Sequence, residues 1–310
     1  MSAVARSGFA SGLAEALWRR PNLFLILLLT PPLLWLGVVY IGSLFALLAQ
    51  SFFAIDEFSG MVRYELTLKT YRELLTTPSN LDIILRTVLM AASVTVAAAI
   101  IAFPVACYAA RYARGGWKAL FYLGIMLPLW SSYLVKVYAW KLILAKEGIL
   151  TWAVDGLHLT WLLNAWLSLP VLGGSSLSVS YTGTFWVFLY VWLPFMILPV
   201  QAALERVPQS LLEASADLGA PPALTLWRVI LPLALPGFVA GSIFTFSLTL
   251  GDFIISQIVG SSRLFIGQAV YAHQGTAGNI PLAAAFTVVP VVIMGVYLWA
   301  AKRAGAFDAL

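Results

Sequence analysis

Long apolar runs separated by short polar breaks set the rhythm of this chain. Six runs reach or exceed the ~20 residues that a membrane-crossing helix needs. They lie at about 23–53, 83–110, 119–144, 183–204, 232–257 and 281–301. The pattern predicts an all-α membrane protein with one transmembrane domain over 23–301. A segment 1–22 precedes it, and a tail 302–310 opening on Lys302 and Arg303 follows. Residues 54–82 are polar and end on the breakers Pro78, Ser79 and Asn80, so a loop is expected. Arg111, Arg114, Gly115 and Gly116 make a short basic turn. Residues 145–182 are moderately apolar but broken by Gly148, Pro170, Gly173 and Gly174, and read as a loop with a re-entrant or interfacial helix.

Composition supports this reading. Of the 310 residues, 61% are hydrophobic and 10% charged, against about 25% charged in soluble domains. The net charge of +5 does not point to nucleic acid, because the basic residues sit scattered at the ends of apolar runs. Cys107 is single and lies inside an apolar run, which excludes a disulfide within the chain. His158 and His273 stand apart from other metal-ligand types, and no acid, base and nucleophile cluster together. No Walker-type phosphate loop occurs, so ATP-driven work requires another chain. The apolar stretch after Arg19 and Arg20 is too long for a cleavable signal. Placing both termini in the cytoplasm puts ten of the 18 basic residues there, including Arg111, Arg114 and Lys118 of the one short turn that carries no acid.

The break at 205–231 is more ordered than a connector needs to be. Pro208 suits a first helical turn, and Ser210 with Glu213 offers a capping box as an alternative start. Leu211, Ala214 and Leu218 share one face, while Gln209, Glu213 and Asp217 share another. Gly219 suits a left-handed helix end, and Pro221-Pro222 prevents continuation. A short amphipathic helix, a sharp turn and a second helix entering the next span are predicted. A passive interfacial helix fits the local pattern equally well.

The spacing adds a resemblance. From Glu213 the chain reads EASADLGAPPALTLWRVILP. This resembles the "EAA" loop of bacterial ABC importer permeases, with Glu213, Ala214, Gly219, Leu231 and Pro232 in register. Ser215 and Val229 stand where that pattern has Ala and Ile. Residues 127–150, LPLWSSYLVKVYAWKLILAKEGIL, are similar to the spermidine/putrescine-type permeases, with Lys136 where Arg is usual. Leu68–Tyr71, Arg86-Thr87, Gly251-Asp252-Phe253, Ile266-Gly267 and the 280–285 stretch resemble the same subgroup. The resemblance covers about 20–301.

It implies a type I ABC importer permease fold in the bacterial inner membrane. It implies a second permease, two ATPase subunits that use ATP and Mg, a periplasmic binding protein and a lipid surround. The chain itself would bind no cofactor and do no bond chemistry. Glu213, Ala214, Asp217 and Gly219 would seat the coupling helix on an ATPase, and Arg228 would touch its surface. A polyamine is the first expectation for cargo, with opine, iron, thiamine or phosphonate systems as relatives. An ion-gradient transporter would leave the 205–231 loop unexplained, and no internal repeat supports one.

Two charges lie at membrane depth. Asp252 reads either as a contact for a cationic cargo or as a helix cap or outer-gate hydrogen bond. Lys136 would repel a cation, so it is expected to pair with a carboxylate, Asp252 being a candidate, or to snorkel to headgroups. Trp130, Tyr133, Tyr138, Trp140, Trp186, Tyr190 and Trp192 could line a polyamine path by cation–π contact, but as a group they read first as interfacial and packing aromatics. Tyr138 and Trp140 are singled out by the resemblance as part of a cargo path that offers cation–π faces.

Overall fold

The computed structural model describes residues 20–56 and 58–303. The segment before Arg20 and the tail beyond Arg303, both expected in the cytoplasm, lie outside those residues. Helix α1 runs Pro21–Gln50. A two-stranded hairpin follows, β1 (Ala54–Ile55) pairing antiparallel with β2 (Val62–Arg63). Next come α2 (Lys69–Thr76), α3 (Pro78–Arg111), α4 (Gly115–Trp130) and α5 (Tyr133–Ile143). Two short helices, α6 (Ile149–Gly156) and α7 (Thr160–Leu167), precede α8 (Tyr181–Glu205). The last are α9 (Gln209–Asp217), α10 (Pro222–Gly251), α11 (Ile254–Ile258), α12 (Ile266–Gly275) and α13 (Ile280–Arg303).

Among the described residues five helices are long and apolar enough to cross a membrane: α1, α3, α8, α10 and α13. The α4–α5 pair makes a sixth if counted as one span, but it bends by 96°. The span expected at 119–144 is thus a broken one. The chain leaves the helix at Ser131 and Ser132, both extended (ψ 148 and 131). The expected fifth span at 232–257 is corrected at both ends. Its helix starts ten residues earlier, at Pro222, and stops at Gly251; Asp252 is extended (ψ 135) and α11 is a separate piece. Residues 145–182 hold α6, α7 and a single 3₁₀ turn at Leu177–Val179, with no helix long enough to cross.

The bundle centre is α3, α8 and α10, packed on one another. Between apolar helices in lipid, close approach and van der Waals contact replace the hydrophobic effect as the associating force. The sequence supplies this with small residues. Ala91, Ala98, Ala102, Ala106 and Ala109 form a fully buried stripe on α3. On α10, a Cβ at Gly237 would stand 2.6 Å from the Pro199 carbonyl oxygen of α8. One at Gly241 would stand 2.7 Å from Met196 Sδ and 3.0 Å from its Cα. Both are closer than real contacts, so glycine is required for the α8–α10 distance.

Helix α1 behaves oppositely: none of its residues is buried in the chain. Its ladder widens into a π-type turn over Trp35–Ile41, three residues after the Pro31-Pro32 pair. In the hairpin, Asp56 Oδ1 accepts from the amides of Phe58 (2.9 Å) and Ser59 (3.0 Å). These backbone bonds, Ser59's first, hold its carboxyl below the usual range.

Candidate functional site

Two regions at opposite ends of α10 hold the singled-out residues. The first is α9. Pro208 stands just outside it with φ −64 and ψ 137, and its carbonyl accepts Leu211 N at 3.2 Å. This start leaves Ser210 inside the helix, and no side chain caps it. The capping box expected from Ser210 and Glu213 does not form: proline's fixed φ begins the helix earlier and Ser210 takes helical angles. The far end is as expected. Gly219 has φ +73, Gly219 N reaches Ala216 O (2.8 Å) and Ala220 N reaches Ser215 O (3.1 Å). A left-handed residue turns the chain and satisfies carbonyls that the helix would orphan.

No residue of α9 is buried. Glu213, Ala214, Asp217 and Gly219 are all exposed, and Leu218 is 88% exposed. Among the described residues, the apolar face of Leu211, Ala214 and Leu218 is therefore left largely uncovered. Arg228 is also exposed, in a π-type stretch of α10 over Leu226–Ile230, with no hydrogen bond or ion pair among the described residues. The inward side of α9 is tied down by a bond the sequence did not announce: the hydroxyls of Ser215 and Thr225 meet at 2.8 Å.

The lead-in to α9 is clamped by the α3–α4 turn. Arg111 Nη2 donates to Val207 O at 2.9 Å. Glu205 Oε1 accepts from Tyr122 Oη at 2.9 Å and pairs with Lys118 Nζ at 2.9 Å. Basic residues of that turn signalled a membrane side; their partners lie some 80–100 positions away and gave no sequence signal.

The second region is the break after α10. Asp252 is half-buried there and both carboxylate oxygens are engaged. Oδ1 accepts Ile255 N at 2.8 Å and so caps α11, and Oδ2 accepts the Tyr133 hydroxyl. Lys136 does not meet it. The expected Lys136–Asp252 pair is corrected: Lys136 Nζ donates to Pro128 O at 2.6 Å, across the α4–α5 elbow. That carbonyl is open because the elbow ends α4, and it lies within one side-chain length.

Tyr133 is the first residue of α5 and stacks on Trp192 of α8, ring centroids 5.9 Å apart. Trp192 Nε1 is buried without a partner. Trp140 packs against Tyr190 (5.2 Å) in the same buried cluster as Tyr133 and Trp192. Tyr138 does not join: it is 54% exposed. So the structure brings Asp252 and Trp140 to one cluster, leaves Lys136 and Tyr138 apart from the carboxylate, and adds Tyr133 and Trp192. Non-helical backbone at membrane depth is tolerated where protein or a cavity covers it. Here two such breaks, Ser131-Ser132 and Asp252, are joined by one hydrogen bond.

Comparison with known proteins agrees with this geometry. Residues 102–304 match the family described as binding-protein-dependent transport system inner membrane component. The chain is 59% identical to the inner membrane ABC transporter permease protein YdcU of Escherichia coli (strain K12), over 94% of this chain and 93% of that one. It is 28% identical to the spermidine/putrescine transport system permease protein PotB of the same organism, over 87% and 94%. Among solved structures it superposes on a bacterial alginate ABC transporter in complex with an alginate pentasaccharide-bound periplasmic protein, with TM-score 0.70. That match is 13% identical and covers 95% of this chain and 97% of that one, so it speaks for the fold. The exposed helix between two spans, the broken spans and these matches lead to one conclusion: the chain belongs to the binding-protein-dependent inner membrane component family, as a multi-pass permease subunit of an ABC importer with the type I fold.

Proposed function

We propose that this chain pairs with a second, homologous permease to form the path for a polyamine of the spermidine or putrescine kind. Two ATPase subunits each hold one coupling helix, and a periplasmic binding protein delivers the cargo. In this reading α9 is the part that an ATPase grips. Glu213 and Asp217 offer charge, Leu211, Ala214 and Leu218 an apolar face, Gly219 the turn, and Arg228 a flanking contact. ATP and Mg are used by the partner, and the chain binds neither. Both termini, the 111–118 turn and α9 face the cytoplasm.

The observation that carries the coupling role is that α9 is uncovered along its length yet fixed at both ends. A helix this short is marginal alone, so its ends must be held for it to serve as a rigid handle. For cargo, the support is the likeness to PotB and a carboxylate set among aromatic faces. Carboxylate and aromatic rings are the groups that take amines. Spermidine uptake into proteoliposomes holding the whole transporter tests this. A transporter that hydrolyses ATP with its binding protein but moves neither spermidine nor putrescine would assign another small solute, an opine-like one first.

Topology has its own test. In a Cys107→Ala background, single cysteines at Ser59 and Thr276 should label from outside, and those at Arg114 and Asp217 should not. Outside labelling at Asp217 would overturn the coupling role.

A further inference from the structure

We propose that Tyr133 is the closing residue of the Asp252 site: its hydroxyl occupies the carboxylate oxygen that a cationic cargo must take, and cargo binding displaces it. This rests on reading Asp252 as cargo-facing.

The two oxygens of Asp252 are held differently. Oδ1 receives a backbone amide, Ile255 N, fixed by the start of α11. Oδ2 receives the Tyr133 hydroxyl, carried on a side chain from a different helix. Only the second can leave without unwinding a helix. Tyr133 also directly follows the Ser131-Ser132 elbow between α4 and α5, where the continuous helix is broken. The elbow is held by side-chain bonds rather than a helical ladder: Ser131 Oγ to Pro128 O (2.9 Å) and Lys136 Nζ to the same oxygen (2.6 Å).

What Tyr133 covers is suited to an amine. Its ring lies on Trp192 at 5.9 Å, nearly parallel at 22°. Withdrawing it frees one carboxylate oxygen and one indole face together. An ammonium group next to both gains Coulombic attraction and a cation–π contact. Lys136 does not fill that role in the resting arrangement, because its ammonium is committed to Pro128 O. The exchange is one for one: an O–H donor leaves the carboxylate and an N–H donor replaces it. No buried charge is left bare at either stage, and so the site can close between cargoes at membrane depth.

The test is binding of radiolabelled spermidine to the assembled transporter in nanodiscs, without the binding protein or ATP. Tyr133→Phe removes one oxygen and keeps the ring on Trp192. Loss of a donor to a charged acceptor is expected to tighten spermidine binding by roughly tenfold. Tyr133→Phe combined with Asp252→Asn should lose the gain. Weaker binding in Tyr133→Phe, together with weaker binding in Asp252→Asn, would overturn the inference and make Tyr133 a fellow ligand, leaving the Asp252 reading intact. Unchanged binding in Asp252→Asn would remove that reading and the inference with it. Copurification of the ATPase reports assembly, and Tyr133→Leu keeps the test open if the phenylalanine variant fails to assemble.

Discussion

α9 and the Asp252 break both interrupt the helical run at an end of α10, and they are stabilised by opposite means. At α9 the determinants are local: Pro208, Gly219, the Pro221-Pro222 pair and a hydroxyl contact ten residues long. Its side chains stay exposed. At the break the determinants are distant: Asp252 depends on Tyr133, 119 positions earlier, and Tyr133 on Trp192. The difference teaches where tolerance lies. An exposed helix is expected to fail when its backbone is deformed, whereas a buried break is expected to fail when one polar partner is removed.

The sharpest way to break this comparison is Gly219→Val. A left-handed backbone costs a side-chain-bearing residue about 1–2 kcal/mol, and a β-branched one fares worst. Among the described residues nothing lies within 4 Å to clash with the new Cβ, so the effect is conformational. The protein should insert in normal amount, with uptake down roughly five- to thirtyfold and weak copurification of ATPase. Full uptake by this variant would show that the turn is not needed.

Asp252→Asn should act next, at the buried end. Spermidine uptake is expected to fall by roughly tenfold, as a charged acceptor becomes neutral. The loss should be greater for spermidine than for putrescine, because attraction scales with cargo charge at a partly desolvated site. Lys136→Met should not rescue it, since Lys136 binds Pro128 O instead. Rescue, read in paired uptake and expression assays, would restore the discarded ion pair.

Arg111→Gln should have a smaller effect than either. It removes a donor from Val207 O at the lead-in to α9, a partly buried contact. Uptake per ATP hydrolysed should drop by about threefold, the range of a single half-exposed charged contact. An equal drop in ATPase and uptake would assign Arg111 to assembly instead. The smallest effect belongs to Ser215→Ala. It deletes the hydroxyl bond to Thr225 while keeping a small residue. A change within about twofold is expected; a total loss would make that bond the anchor of α9.

How far the sequence reached follows from the same contrast. Apolar run length marked where membrane helices occur, because lipid thickness acts on each run separately. The end of α9 was legible because Gly219 and the two prolines act through their own backbone. The bend between α4 and α5 was hidden: a continuous apolar run reads alike whether straight or folded, and Ser131-Ser132 is a weak breaker. The elbow is set by what Tyr133 and Lys136 touch, which spacing does not encode. For the same reason the singled-out Tyr138 proved exposed, whereas Tyr133, read as one of a group of belt and packing aromatics, holds the carboxylate. The α8–α10 approach at Gly237 and Gly241 also escaped notice, since a glycine in an apolar helix does not say which neighbour it admits.

That approach has a mechanical consequence. α10 runs from Pro222, directly after the α9 turn, to Gly251, directly before Asp252. It approaches α8 closely enough at Gly237 and Gly241 to admit no side chain there. At about 1.5 Å per residue, some 23 Å of rod lies on the α9 side of Gly237 and some 15 Å on the Asp252 side of Gly241. Were α10 to rock on α8 as one piece, its arms would be unequal, and a sideways push at the longer one would return at the shorter reversed and smaller by about a third. The two glycines would then be the bearing between the exposed turn at one end and the carboxylate at the other.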